Sequence, residues 1–204
     1  MSLRNFFGPS KKEIWQKLCP EIDGTFVDGG FWKSDQVIAK VDEWVITLDT
    51  YTISTGRIAS VYTRMRAPYI NKDGFRFKLY RKSMFSGLEK LFGMPEVCTS
   101  FLDDKYIIQG NNRQKVQELF SNPRVCALIK VQPDNYHLEI EIKNGPGLFG
   151  RRFPEGISEL HLLVGGVIKD MERLKSLFEL FSEIMRQLSL MDSASPEDPV
   201  VELK

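Results

Sequence analysis

The chain reads as an α+β fold: an antiparallel, meander-rich sheet packed against a long C-terminal helix, with a second β-α-α-β-β-α portion from about residue 104. Three observations lead there. Between residues 25 and 81, apolar and polar residues alternate with period two, the side-chain spacing of strands. The runs are separated by turns such as Ser54-Thr55-Gly56 and Asn71-Lys72-Asp73-Gly74. Those links are too short for the crossover that parallel strands need. From about 167 to 190 the apolar residues instead recur at helical spacing.

The elements follow in order. Ser10-Lys11-Lys12-Glu13 fits a capping box, Ile14, Trp15 and Leu18 form one apolar helix face, and Pro20 ends the helix. Strands are predicted near 25–32, 36–41, 44–53, 57–66 and 75–81. Residues 83–93 read as a short helix stopped by Gly93 and Pro95, and 94–103 as a candidate subdomain seam. A strand near 105–109 and a helix near 112–120, capped by Asn111, come next. Residues 124–131 form a helix or strand, with Pro123 suited to a first helical position. Strands at 136–143 and 158–164 flank a loop rich in Gly, Pro and Arg. The single α+β domain is placed at 10–191. Residues 192–204, rich in Ser, Pro and acidic residues, read as a disordered tail.

In the last helix Val167, Met171, Leu174, Phe178, Phe181, Met185 and Leu188 sit at heptad spacing, while Leu177, Leu180, Ile184 and Met191 broaden the stripe. A broad stripe packs across a sheet, and a narrow seam would build a homodimer.

Composition bounds the function. Apolar residues make up 42% of 204, enough for a core, and 28 basic against 27 acidic residues leave a formal charge of +1. That balance argues against a nucleic-acid binder of globally basic type. Cys19, Cys98 and Cys126 are an odd, widely spaced set and read as reduced, buried thiols. No apolar run reaches the roughly 20 residues of a transmembrane helix, and the first residues do not resemble a secretory signal. A cytoplasmic location is the resulting expectation. No cofactor motif is found. Gly145-Pro146-Gly147-Leu148-Phe149-Gly150 matches GxGxxG by letter, but Pro154 and Gly156 deny it the helix that would meet a phosphate.

Two constellations carry functional expectations. Between 57 and 82 lie eight basic residues and one acidic one, whereas 21–49 is acidic. Alternation puts Arg64 and Arg66 on one strand face with Tyr62, and Arg76 and Lys78 on another with Tyr80. If those strands pair, the four cations form one exposed basic-aromatic cluster, unless the acidic strands next door match them. Together with Arg151 and Arg152 in the later loop, they are the candidate anion-binding residues. The first expectation is therefore a non-enzymatic binding module recognising an anionic ligand or acidic protein surface.

The second constellation holds both histidines. His137, Glu139 and Glu141 share the face opposite Leu138, Ile140 and Ile142, and Glu159 and His161 share the face opposite Leu160, Leu162 and Val164. Such a set suits a divalent metal or an acid–base pair, and an ordinary solvated strand face is the plainer reading. A metal-dependent or acid–base enzyme is thus the alternative. A structural homo-oligomer through the last helix is a third.

Overall fold

A computed structural model describes residues 8–31, 33–55, 58–82, 94–97, 102, 105–144 and 153–201. Eight strands form one antiparallel sheet: β1 (Gly24–Val27), β2 (Gln36–Val41), β3 (Trp44–Thr55), β4 (Ile58–Ile70), β5 (Phe77–Arg81), β6 (Tyr106–Gly110), β7 (Leu138–Lys143) and β8 (Ile157–Gly165). The helices are α1 (Lys11–Leu18), α2 (Arg113–Ser121), α3 (Pro123–Lys130) and α4 (Met171–Leu190). The α+β class, with its antiparallel sheet and long last helix, is as the sequence predicts.

The strand order is β1-β2-β3-β4-β8-β7-β5-β6. Four meander strands are followed in space by the β7–β8 pair, and only then by β5 and β6. Strands β4 and β5, expected as possible neighbours, are therefore separated by two others. One continuous row of apolar side chains holds the sheet together. Phe26, Val37, Leu48, Met65, Leu162, Ile140, Leu79 and Ile108 stand opposite one another across all eight strands. All belong to or pack against one hydrophobic core, which also takes the buried faces of the helices. Register is strongly specified here, because a one-residue slip would put the whole apolar row on the other face.

Local chemistry explains the element ends. Ser10 accepts from the Glu13 N–H while Glu13 reaches back to Ser10 N, completing the capping box. Helix α2 is capped by Asn112 rather than Asn111, since it is the Asn112 side chain that accepts from Lys115 N. Residues 123–130 are helical, with Pro123 in the first turn and Asn122 accepting from two N–H groups. Strand β1 stops at Val27, where Asp28 Oδ1 accepts from Gly30 N and turns the chain. Strand β4 runs past the predicted end to Ile70. Its register with β3 begins at Thr47↔Arg66, so Pro68 lies beyond that ladder and its missing N–H costs nothing there.

Helix α4 lays Leu174, Leu177, Phe178, Leu180, Phe181, Ile184, Met185 and Leu188 into the core. Its stripe is thus spent on the chain's own sheet, and Val167 lies before the helix. Buried Trp15 on α1 donates from Nε1 to Ile168 O, fixing α1 to the β8–α4 connection. Two stretches lie at the expected boundaries. Val97 N donates to Ile108 O along the β6 edge, and Leu102 joins the core. After the helix, Ser193, Ala194 and Ser195 are buried: Lys72 N donates to Ser193 O, and Ser195 N to Ile70 O. Packed residues thus continue beyond Met191 to Ser195. The helix expected at 83–93 and the GxGxxG segment lie outside the described residues. Cys19 and Cys126 are free and buried.

Candidate functional site

One residue along from the apolar row, each strand presents its other face. The row there is Thr25, Ile38, Thr47, Arg66, His161, Glu141, Lys78 and Gln109. Its neighbour across β3, β4, β8 and β7 carries Asp49, Arg64, Leu163 and Glu139. Period two, together with the β4-β8-β7-β5 pairing, thus places both predicted constellations on one face. The expectation of a solvated face is corrected: Asp49, Arg66, Lys78, Glu139, Glu159 and His161 are all buried. Charge at such depth costs several kcal/mol per ion unless it is paired.

The basic end is paired by a residue the sequence placed only in a generally acidic stretch. Asp49 accepts from Arg64 Nε at 2.8 Å and Nη2 at 2.7 Å, and from Arg66 Nη2 at 2.8 Å. The Arg64 guanidinium also lies 4.5 Å from the Tyr51 ring centre. Arg64 is half-buried, Arg66 is buried and Arg76 is exposed. The four cations therefore do not form one exposed cluster: β8 and β7 intervene, and only Arg76 lies open. Arg151 and Arg152 lie outside the described residues. Asp49 and Arg64 face each other across the β3–β4 hairpin, whereas the turn predicted at residues 54–56 would set Asp49 opposite Val61.

The acidic end holds the histidine set. Lys78 Nζ sits 3.1 Å from Glu139 Oε2 and 3.5 Å from Glu141 Oε2, bridging two carboxylates. Lys143 Nζ is 2.8 Å from Glu141 Oε1 and 3.4 Å from His161 Nε2. One ligand atom each of Glu139, Glu141 and His161 lies within 4.8 Å of the others. Side chains two apart on a strand thus converge despite their spacing of about 7 Å along it. Glu159 and His137 are not in that trio. His137 Nε2 is 3.9 Å from Glu139 Oε2, and its ring meets Tyr62 edge-on with centres 5.5 Å apart. Gly165 stands between those two rings on the intervening strand, and a Cβ there would press on His137 Cβ at 3.2 Å.

The environment separates the titrating groups. Burial, reinforced by the Glu141 charge, pushes Glu139 up to about 7. Burial acts on Glu141 too, but Lys143 and Lys78 outweigh it and hold the group below its ordinary range. Burial raises Glu159 to about 7 against the pull of Arg66 and Lys143. Burial and the surrounding cations, Lys143 foremost, lower His161 well below the usual imidazole value, so it is neutral at pH 7. Among the described residues, Glu159 Oε2, His161 Nδ1 and Arg66 Nε are buried without a hydrogen-bond partner.

As a metal site the trio offers two carboxylates and an imidazole, a reasonable set for a divalent cation. Two ammonium groups already supply positive charge at those same oxygens. As an acid–base site it offers two carboxylates with pKa values pushed apart, the pattern of paired roles.

No family model matches this chain, and no curated protein matches it. Among solved structures, the mycobacterial trehalose monomycolate transport factor A, TtfA, resembles it with a TM-score of 0.52 at 8% sequence identity. The match covers 87% of this chain and 95% of that one. At that identity the likeness is one of fold. Among the described residues no helix is long and apolar enough to cross a membrane.

Proposed function

We propose that the chain is a non-enzymatic binding module that recognises an anionic partner through the basic side of its polar sheet face. One observation carries the reading: this face holds buried ions locked to one another. Replacing a buried ionic cluster by apolar groups is often neutral or stabilising, so such a cluster is poor evidence for a stability role. A preset array of oriented Arg forks is well suited to selecting a partner's charge and geometry. Arg64, stacked on Tyr51 and half-buried, and exposed Arg76 are the positions a partner reaches. Arg66 and Lys78 add positive field from beneath, and Arg151 and Arg152 join the proposal from their sequence alone. The fold neighbour is named a transport factor, which supports a role in handling another molecule rather than converting it.

The test is binding of the full chain to a heparin oligosaccharide at low salt, compared with Arg64→Ala and Arg76→Ala. The proposal expects each variant to weaken binding several-fold, with folding checked by circular dichroism. Undiminished affinity in the double variant would remove this surface from consideration.

The convergence of Glu139, Glu141 and His161 favours a second reading, a metal-dependent or acid–base enzyme. A divalent ion would have to displace Lys78 from between the two carboxylates. Native mass spectrometry without chelator separates the readings. One metal per chain, lost in His161→Ala, supports the second.

A further inference from the structure

Away from the polar face, the chain before β7 and the first turn of α4 line an open cavity of about 450 Å³. Its lining includes Gln132, Pro133, Tyr136, Arg173 and Ser176. Volumes in this range suit small organic ligands.

Arg173 is the unusual member. It lies in the first turn of a 20-residue helix whose N-cap is Asp170. Cations are disfavoured there by the helix dipole. Its guanidinium stacks on the Tyr136 ring, 4.1 Å from the ring centre. Asp170, the adjacent carboxylate, instead caps the helix by accepting from Arg173 N at 2.7 Å. Glu172 is engaged by Lys175 at 2.9 Å. Among the described residues Arg173 forms no salt bridge, and its Nε is buried without an acceptor. Burial lowers the Arg173 pKa from its ordinary value against the pull of Tyr136 and Asp170, so its charge is only partly compensated. Beside it, buried Gln132 spends Nε2 on Leu128 O and Ser176 Oγ, while its Oε1 has no partner.

An Arg fork held flat on an aromatic ring, with its Nε–H unused, is organised for a planar oxyanion. The rim narrows the class. Asp170 and Glu172 repel multiply charged ligands, whereas Tyr136 and Pro133 offer apolar surface to a ligand body. We infer that this cavity binds a small monocarboxylate with an aromatic or aliphatic body, its carboxylate on Arg173 and its body against Tyr136. The inference goes beyond the polar-face reading and shares no residue with it, so either can fail alone.

The test is a titration of uniformly ¹⁵N-labelled full chain with benzoate, following the arginine Nε–Hε resonances. The Arg173 signal is identified by its loss in Arg173→Lys. It should move saturably with about millimolar affinity or better. Arg173→Gln should weaken binding about tenfold or more, the expected loss of a charge-assisted pair, and Tyr136→Leu several-fold. Removing a cation from a helix N-terminus does not threaten folding, and thermal melts of both variants are the check on it. No saturable movement, or undiminished benzoate affinity in Arg173→Gln, would overturn the site. Inorganic phosphate binding as tightly as benzoate would overturn the monocarboxylate class.

Discussion

Asp49→Ala isolates the energetic core of the polar face. Both Asp49 oxygens are used, in three charge-assisted bonds of 2.7–2.8 Å to Arg64 and Arg66. The Asp49 and Arg66 side chains are only 3% and 4% exposed. Removing the carboxylate leaves a fully buried guanidinium without its partner. Breaking a buried pair on one side costs about 3–5 kcal/mol. For a chain of this size that corresponds to a fall in Tm of roughly 6–20 °C. The remaining nearby carboxyl is Glu159, which is pushed up to about 7 by burial. At pH 6 it is largely protonated and compensates little, whereas at pH 8 it ionises beside Arg66. The Asp49→Ala penalty should therefore be smaller at pH 8 than at pH 6. Urea unfolding followed by tryptophan fluorescence at both pH values measures it, and the companion Asp49→Leu/Arg64→Met/Arg66→Met should lose far less. A penalty below about 1 kcal/mol, the range of exposed pairs, would refute the reasoning, as would an equal loss in the triple variant.

Further consequences follow from the same structure. The folded pKa of Glu159, about 7, stands above its ordinary 4.5. The folded state thus holds an extra proton across that window, and this group makes stability fall as pH rises through it. The full difference is on the order of 3 kcal/mol. Glu159→Gln should match the wild type near pH 5 and exceed it at pH 8 in urea unfolding, and a variant no more stable at pH 8 contradicts the assignment. Truncation after Met191 removes the bonds of Ser193 and Ser195 to the β4 end, together with the Lys115 Nζ bond to Ser193 Oγ. It should cost about 2–3 kcal/mol from a few hydrogen bonds and one buried Ala. Faster amide exchange at Ile70–Lys72 would accompany it. Gly110→Ala would drive a Cβ to 2.4 Å from Val116 Cγ2, in contact with α2. A loss of about 1–3 kcal/mol is expected from such overpacking, and an unchanged melting temperature would show that α2 can move aside.

Much of this architecture is legible locally. Alternation in Thr47-Leu48-Asp49 and in Leu138-Glu139-Ile140-Glu141 assigns each residue to its face without reference to the rest of the chain. The Ser10/Glu13 box and Pro123 likewise announce their helix starts. Strand order is not local. Placing β7 and β8 between β4 and β5 depends on long-range pairing, which no turn or period encodes, and the basic cluster therefore divides: Arg64 and Arg66 pair with Asp49, Lys78 with Glu139 and Glu141, and Arg76 lies exposed. Burial of the polar face is also tertiary, since a polar residue on a strand reads as exposed until its partner is known. Lys78 illustrates this: in sequence it is one cation among eight, and in the fold it bridges two carboxylates. The Arg173 cavity was missed because its parts lie on separate elements, and its signal, a cation in a first helical turn, is faint.

Charge-selective recognition by the polar face is tested most directly by its salt dependence. Binding of the full chain to a heparin oligosaccharide, measured by calorimetry between 20 and 200 mM salt, should weaken steeply. With two to four cations engaged, the logarithmic slope is expected near −2 to −4, by the counterion-release rule of about one per contact. Arg64→Ala should reduce that slope by about one. A slope near zero, with or without Arg64, would contradict the proposal.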